Sequence, residues 1–256
     1  MSHTLAAEKC VLVIPARRRS TRLPDKLLLR KTGKTILHHT FEAASQAQIP
    51  QSLLIATDDQ QIAAEARRFG AEVVMTDADC ASGTDRVAQA VRPLPQFDIV
   101  VNLQGDEPEI DPAAIDGLIA SLQANPAASM ATLAAPIRER ELLEDPACVK
   151  VVFDNDQRAL YFSRSPIPHA RQWDDQLLSA TPPLFHQHIG IYAYRRELLL
   201  RLASLPPGRT ERLEQLEQLR VLEAGETILV TPIEEPTRGI DTPEDYAAFV
   251  ARRKAG

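Results

Sequence analysis

The stretch Val11-Leu12-Val13-Ile14-Pro15 decides the fold. It is apolar, rich in β-branched residues and closed by a proline, the pattern of a strand buried on both faces. A basic loop follows at once, Ala16-Arg17-Arg18-Arg19-Ser20-Thr21-Arg22-Leu23-Pro24-Asp25-Lys26. Helical spacing then runs over about 35–48, and a second buried strand over 53–57. Asp59 can cap a helix that continues through Arg68 and closes at Gly70. Residues 72–75 and 98–103 read as a third and a fourth strand. Buried strands alternating with helices indicate a mostly parallel α/β sheet with helices on both faces. In such sheets ligands bind beyond the carboxyl ends of the strands. The polar clusters of this chain fall in those places: the basic loop, Thr57-Asp58, and Gln104-Gly105-Asp106-Glu107-Pro108.

The second half is more mixed. Residues 149–153 and 159–162 read as a hairpin around Asp154-Asn155-Asp156, 189–194 as a strand, and 211–223 as one acid-rich helix. A short strand at 228–231 and a terminal helix over 243–252 complete the pattern. No internal repeat, low-complexity tract or linker is visible, so residues 1–256 read as a single domain. Within it, about 10–135 form a nucleotide-binding core, and about 136–256 extend the sheet and supply a lid or a dimer surface.

The chain has 256 residues, 44% of them hydrophobic, enough for one sizeable core. A formal net charge of -6 speaks against a nucleic-acid or membrane-surface protein, which would carry a basic excess. No apolar run is long enough to cross a bilayer. Glu8 and Lys9 interrupt any leader-like stretch. Cys10, Cys80 and Cys148 are scattered without ligand spacing and read as reduced thiols, as expected for a cytoplasmic protein.

Three motifs can carry chemistry. The basic loop follows a buried strand and can clamp phosphates through guanidinium and ammonium groups. Its bland reading is a solvated charge run. Thr32-Gly33-Lys34-Thr35 looks like the end of a P-loop, but Leu28 stands where that loop requires glycine, so the reading fails. Asp106 follows the fourth strand, a good place for a magnesium ligand, although an acidic turn can look the same. Gly239-Ile240-Asp241-Thr242-Pro243-Glu244-Asp245 is explained largely by helix capping. Together, however, Asp106 and Asp241 can bridge magnesium on a nucleotide. His38 and His39 have no evident role. His186 and His188 share a strand face but lack a third zinc ligand, so a hydrogen-bonding histidine facing a substrate is the better reading.

With these motifs assembled, the chain resembles the 3-deoxy-manno-octulosonate cytidylyltransferase (CMP-Kdo synthetase) family. The matching segments run in order: IPAR at 14–17, STRLP at 20–24 with Lys26, ATD at 56–58, SGTDR at 82–86, NLQGDEP at 102–108 and MATLAAPI at 130–137. VKVV at 149–152, ALYFSR at 159–164, HIGIYAYR at 188–195, LEQLRVLEAGE at 216–226 and GIDTPED at 239–245 complete the set. The resemblance implies a Rossmann-like, glycosyltransferase-A-type α/β core and a homodimer formed through the second half. It implies that Arg17, Arg22 and Lys26, with Ser20 nearby, hold the CTP phosphates. Ser82, Gly83 and the backbone near Ala16 would frame the cytidine, with Arg86 supporting that loop. Asp106 and Asp241 would bind Mg2+. Gln104, Arg164, His188, Tyr192, Glu211 and Glu214 would line the sugar site, Arg164 facing the sugar carboxylate. Two departures stand out. Asp25 replaces the family's glycine before the loop lysine, and Arg18-Arg19 replace a more neutral pair.

The expected reaction is in-line attack by the anomeric hydroxyl of Kdo on the α-phosphorus of CTP, with diphosphate leaving and magnesium supplying electrostatic stabilisation. Arg17, Lys26, Asp106 and Asp241 would carry the chemistry. The rivals are the same chemistry on 8-amino-Kdo, a sialic-type acid or a sugar phosphate, and a nucleotide-binding protein without turnover.

Overall fold

A computed structural model describes residues 8–18 and 22–255. Nine strands form one sheet: β1 (Cys10–Ala16), β2 (Ser52–Thr57), β3 (Glu72–Met75), β4 (Ile99–Asn102), β5 (Met130–Pro136), β6 (Lys150–Phe153), β7 (Ala159–Ser163), β8 (His186–Arg195) and β9 (Ile228–Pro232). The α-helices are α1 (Ile36–Ala44), α2 (Gln60–Arg68), α3 (Gly83–Val91), α4 (Pro112–Ala124), α5 (Arg140–Glu144), α6 (Arg196–Leu202), α7 (Arg209–Glu214), α8 (Gln218–Glu223) and α9 (Pro243–Ala255).

The main strand order is β3-β2-β1-β4-β8-β5-β9, and the β6–β7 hairpin joins it at the Lys150–Gln187 pair. β1 lies at the centre of the parallel part and is buried along its whole length. Its side chains alternate between two cores. Leu12 and Ile14 face α1, α2, α4 and α9; Val11 and Val13 face α3, α6 and α8. This is the two-faced burial that a continuous apolar strand requires. Because β1, β2 and β4 are parallel, Ala16, Thr57 and Asn102 end on one edge.

Several helix starts follow local rules. Asp59 caps α2 through Gln61 and Ile62, and Gly70 ends that helix region at φ +84°. Ser82 and Asp85 form a capping box on α3. Asp111 caps α4 with Pro112 in the first turn.

The structure adds to the expectation in one place and corrects it in two. First, β8 runs antiparallel to both β4 and β5, so a strand from the second half is inserted between two strands of the first. Second, α1 stops at Ala44 rather than near residue 48. Third, the single helix expected over 211–223 is two helices. Gln215 takes a left-handed conformation, φ +55°, and Leu216 turns into the core. The break lets Arg220 fold back on Glu211, its Nε 2.8 Å from Oε2, and lets Arg220 also reach the carbonyls of Leu202 and Leu205. Glu211 also accepts from the Gly208 N–H at 2.8 Å.

Glu211 is thus a buried structural anion held by the Gly208 N–H and by Arg220. Glu211→Ala leaves Arg220 uncompensated and should cost about 3 kcal/mol. The expected reading is a lower urea midpoint with an unchanged m-value. A midpoint equal to that of the wild type would refute the structural role.

Candidate active site

Lys26 stands at the centre of the site. It begins a 3-10 turn after the basic loop, and its side chain is largely enclosed. Its Nζ donates to Asp106 Oδ2 and to Asp241 Oδ1, the latter at 2.9 Å. Arg22 reaches the other oxygen of Asp241, also at 2.9 Å. Three segments remote in sequence therefore meet on one ammonium. Burial alone would push the lysine pKa down, but Asp106 and Asp241 outweigh it and hold the pKa above its usual value.

The backbone enforces this meeting. The Ile240 N–H donates to the Asp106 carbonyl at 2.9 Å. Gly239 lies against Glu107, and a Cβ there would stand 2.8 Å from Oε1, so any other residue would push the Glu107 carboxyl aside. The Glu107 carboxyl is pushed up to about 7, first by burial and then by the charges of Asp106 and Asp241. Glu107 was quoted in the sequence motif without a role; it packs the residue 239–241 segment against the end of β4. Asp245 accepts from the Asp241 and Thr242 N–H groups and anchors the same segment.

Beside this clasp lies a cavity of about 640 Å³ lined by Arg17, Arg18, Asp25, Asp58, Asp59, Cys80 and Arg86, among others. Arg17 is exposed. Arg86 is buried, pairs with Asp58 at 3.0 Å and donates to Thr76 Oγ1, so it braces the cavity wall. Ala16 is the last, buried residue of β1. Ser82 is committed to capping α3, and Gly83 packs 3.6–3.7 Å (measured from a notional Cβ) against Pro15 and Gln104. Ser20 lies outside the described residues. Asp25 adopts φ +52° and turns its carboxylate to Arg18 at 2.7 Å rather than to Lys26. That contact lowers its pKa and keeps it charged.

The residues assigned to the sugar divide into two groups. Arg164 donates to the carbonyls of Glu214 at 2.7 Å and Pro146 at 3.0 Å. Glu214 accepts from Ser163 Oγ and from the Arg164 N–H. No carboxylate within ion-pair distance of Arg164 is found among the described residues, which leaves its charge available to an acid. Tyr192 lies opposite Asn102 across β4 and β8, and Gln104 donates to Asn102 at 3.1 Å. Tyr192 also donates to Gln218, whose amide approaches His188. Glu211, also assigned to the sugar, is held in the Arg220 ion pair. Gln218 was missed; it sits within the quoted 216–226 segment, but its inward orientation depends on the break at Gln215.

Asp106 and Asp241 share one cation, and no cluster of three or more potential metal ligands occurs among the described residues. Two carboxylates suit magnesium, which completes its shell with water and phosphate oxygens.

His188 is held neutral by burial, which pushes its pKa from about 6.5 down to about 3. The unfolded chain therefore takes up a proton near pH 6.5 that the folded chain refuses until about pH 3. This contribution to stability is complete above the upper value and is lost as pH falls through the window, by up to about 1.4 kcal/mol per pH unit. In urea titrations across that range, His188→Gln should bind about one proton fewer on unfolding than the wild type. Identical slopes would show that the ring is not excluded from water.

Comparison with known proteins agrees with this geometry. The cytidylyltransferase family model matches residues 11–228. The protein named 3-deoxy-manno-octulosonate cytidylyltransferase from Rhodopirellula baltica is 51% identical, over 95% of this chain and 98% of its own. One named 8-amino-3,8-dideoxy-manno-octulosonate cytidylyltransferase from Shewanella piezotolerans is 46% identical, over 94% and 97%. A solved structure of CMP:2-keto-3-deoxy-manno-octonic acid synthetase complexed with CTP superposes with a TM-score of 0.89 at 39% identity, covering 97% of this chain and 99% of that one. The chain belongs to the cytidylyltransferase family.

Proposed function

We propose that this chain transfers the cytidylyl group of CTP to 3-deoxy-manno-octulosonate, giving CMP-Kdo and diphosphate. The observation that carries the reading is the convergence of Lys26, Asp106, Asp241 and Arg22 at the carboxyl edge of the parallel strands. Arg17, Arg22 and Lys26 supply the positive charge that holds the triphosphate and stabilises the departing diphosphate. Arg164 holds the sugar carboxylate, while Tyr192, His188, Gln104 and Glu214 orient the ring. The anomeric oxygen forms the new bond to the α-phosphorus as the bond to diphosphate breaks, and the hydroxyl proton is released. Asp106 and Asp241 would hold magnesium, which supplies neutralisation of phosphate charge and acidification of a nearby hydroxyl.

The same reading places the enzyme in the cytoplasm as a homodimer paired through its second half. In support, among the described residues no helix is long and apolar enough to cross a membrane. A groove of about 1180 Å³ also opens between β6, β8 and the 232–236 segment, with half-exposed Leu184 on its wall.

Diphosphate release by purified protein tests the reaction. It should require CTP, magnesium and Kdo together, come from material whose light-scattering mass is that of two chains, and fall at least about 10³-fold in Asp106→Asn. Release with 8-amino-Kdo in place of Kdo would move the substrate to that of the Shewanella relative. CTP binding without turnover on any acidic sugar would defeat the proposal.

The Arg18–Asp25 pair gives a separate expectation. Asp25 occupies a left-handed position that glycine takes at no cost, and it competes with phosphate for Arg18. In Asp25→Gly, KM for CTP should fall about threefold with kcat nearly unchanged, the modest size suiting an exposed pair. A raised KM would mean that Asp25 organises the loop instead.

A further inference from the structure

The ladder between β5 and β8 breaks at one place. Thr132 pairs with Tyr192 but Leu133 pairs with Ile189, so Gly190 and Ile191 are left over on β8. A bulge of this kind frees backbone groups that must find other partners. Thr132 is fully buried opposite it, with Oγ1 3.1 Å from the Ile189 carbonyl and 2.9 Å from that of Ile191. The same Oγ1 lies 2.9 Å from His188 Nε2. A threonine hydroxyl has one hydrogen, and a carbonyl can only accept. The hydrogen goes to the bulge, so His188 Nε2 must bring its own.

The other side of the ring fits the same assignment. Tyr192 donates its hydroxyl to Gln218 Oε1 at 3.2 Å, which turns the Gln218 amide nitrogen toward His188 Nδ1 at 3.5 Å. Nδ1 is therefore the acceptor. The row reads in one direction: Tyr192 to Gln218, Gln218 to His188, His188 to Thr132, Thr132 to the bulge. The His188 ring is further pinned edge-on against Phe162, centroids 4.9 Å apart.

We propose that Thr132 is a positioning residue for the acidic-sugar side of the site. It holds His188 in the Nε2–H tautomer and, through His188 and Gln218, commits the Tyr192 hydrogen inward. Tyr192 is left to accept from a sugar hydroxyl. The kinetic part rests on the function proposed above; the tautomer does not.

The test uses ¹⁵N-histidine-labelled wild type, Thr132→Val and Thr132→Ser, with the His188 signals identified by their loss in His188→Gln. The wild type should show a protonated Nε2 and a bare Nδ1 without any sugar present. Thr132→Val, which keeps the shape but cannot accept, should lose that pattern and raise KM for the acidic sugar about tenfold, leaving KM for CTP unchanged. Thr132→Ser should restore both, a rescue that simple loss of packing would not give. A wild-type ring protonated at Nδ1, or a Thr132→Val ring with the wild-type pattern, overturns the tautomer lock. An altered tautomer with an unchanged sugar KM overturns the positioning role. Absence of turnover in the wild type would count against the reaction and leave the spectra to decide the tautomer.

Discussion

Lys26 is an ammonium largely removed from water, which requires compensating charge, and Asp106 and Asp241 supply it by outweighing the burial that would lower its pKa. The rest of the site follows from that requirement. Asp106 can arrive only from the end of β4, and Asp241 only if the chain beyond β9 returns across the sheet edge. The Ile240–Asp106 backbone bond and the close approach of Gly239 to Glu107 make that return possible. Lys26 and Arg22 are thereby held beside the cavity that Arg17 and Arg18 line. The same pair of carboxylates is suited to a divalent cation, so in the proposed reaction the groups that hold Lys26 would also be those that meet a nucleotide's counter-ion.

The insertion of β8 performs a second task. A strand antiparallel to its neighbours carries Tyr192 alongside Asn102, two residues before Gln104. Residues of the second half are thus built into the sheet of the first. The residues proposed to face the sugar take their position from backbone pairing, and not from the docking of a separate domain. The β6–β7 hairpin contributes Arg164 at its end, where Lys150 binds the Arg164 carbonyl and Glu214 binds its N–H.

Much of this was legible in the sequence because the physics is local. β1 to β4 announce themselves as unbroken apolar runs, and the chemistry-bearing clusters sit directly after three of them. Asp59 and Gly70 mark their helix by ordinary capping. Asp111-Pro112 and the Ser82–Asp85 box follow the same capping rules, but neither was read as a helix start, and the latter lies inside a motif read for nucleotide contact. What could not be read depends on partners chosen across long separations. Periodicity does not say that β8 will be antiparallel or where it will insert. Nothing near Gln215 forbids a continuous helix; the break follows from burying Leu216 and pairing Arg220 with Glu211. Asp25 looked like a charge misplaced beside Lys26, and only the left-handed backbone shows it facing Arg18.

The two ends of the site work by different electrostatics, and the fold accounts for the difference. Where the nucleotide is proposed to bind, cations and carboxylates alternate around an open cavity, with Arg17 exposed to water and Arg86 buried against Asp58. Where the sugar is proposed to bind, burial pushes the His188 pKa down, which keeps the ring neutral, and raises that of the Tyr192 hydroxyl. A charged histidine there would have no carboxylate to meet and two donors facing groups that cannot all accept. Neutrality makes the direction of each hydrogen bond matter, because a reversed bond leaves a buried donor or acceptor without a partner. The bulge in β8 sets that direction at one end by creating carbonyls that consume the Thr132 hydrogen. An irregularity in the sheet ladder therefore reaches the ligand side as the choice between donor and acceptor on Tyr192.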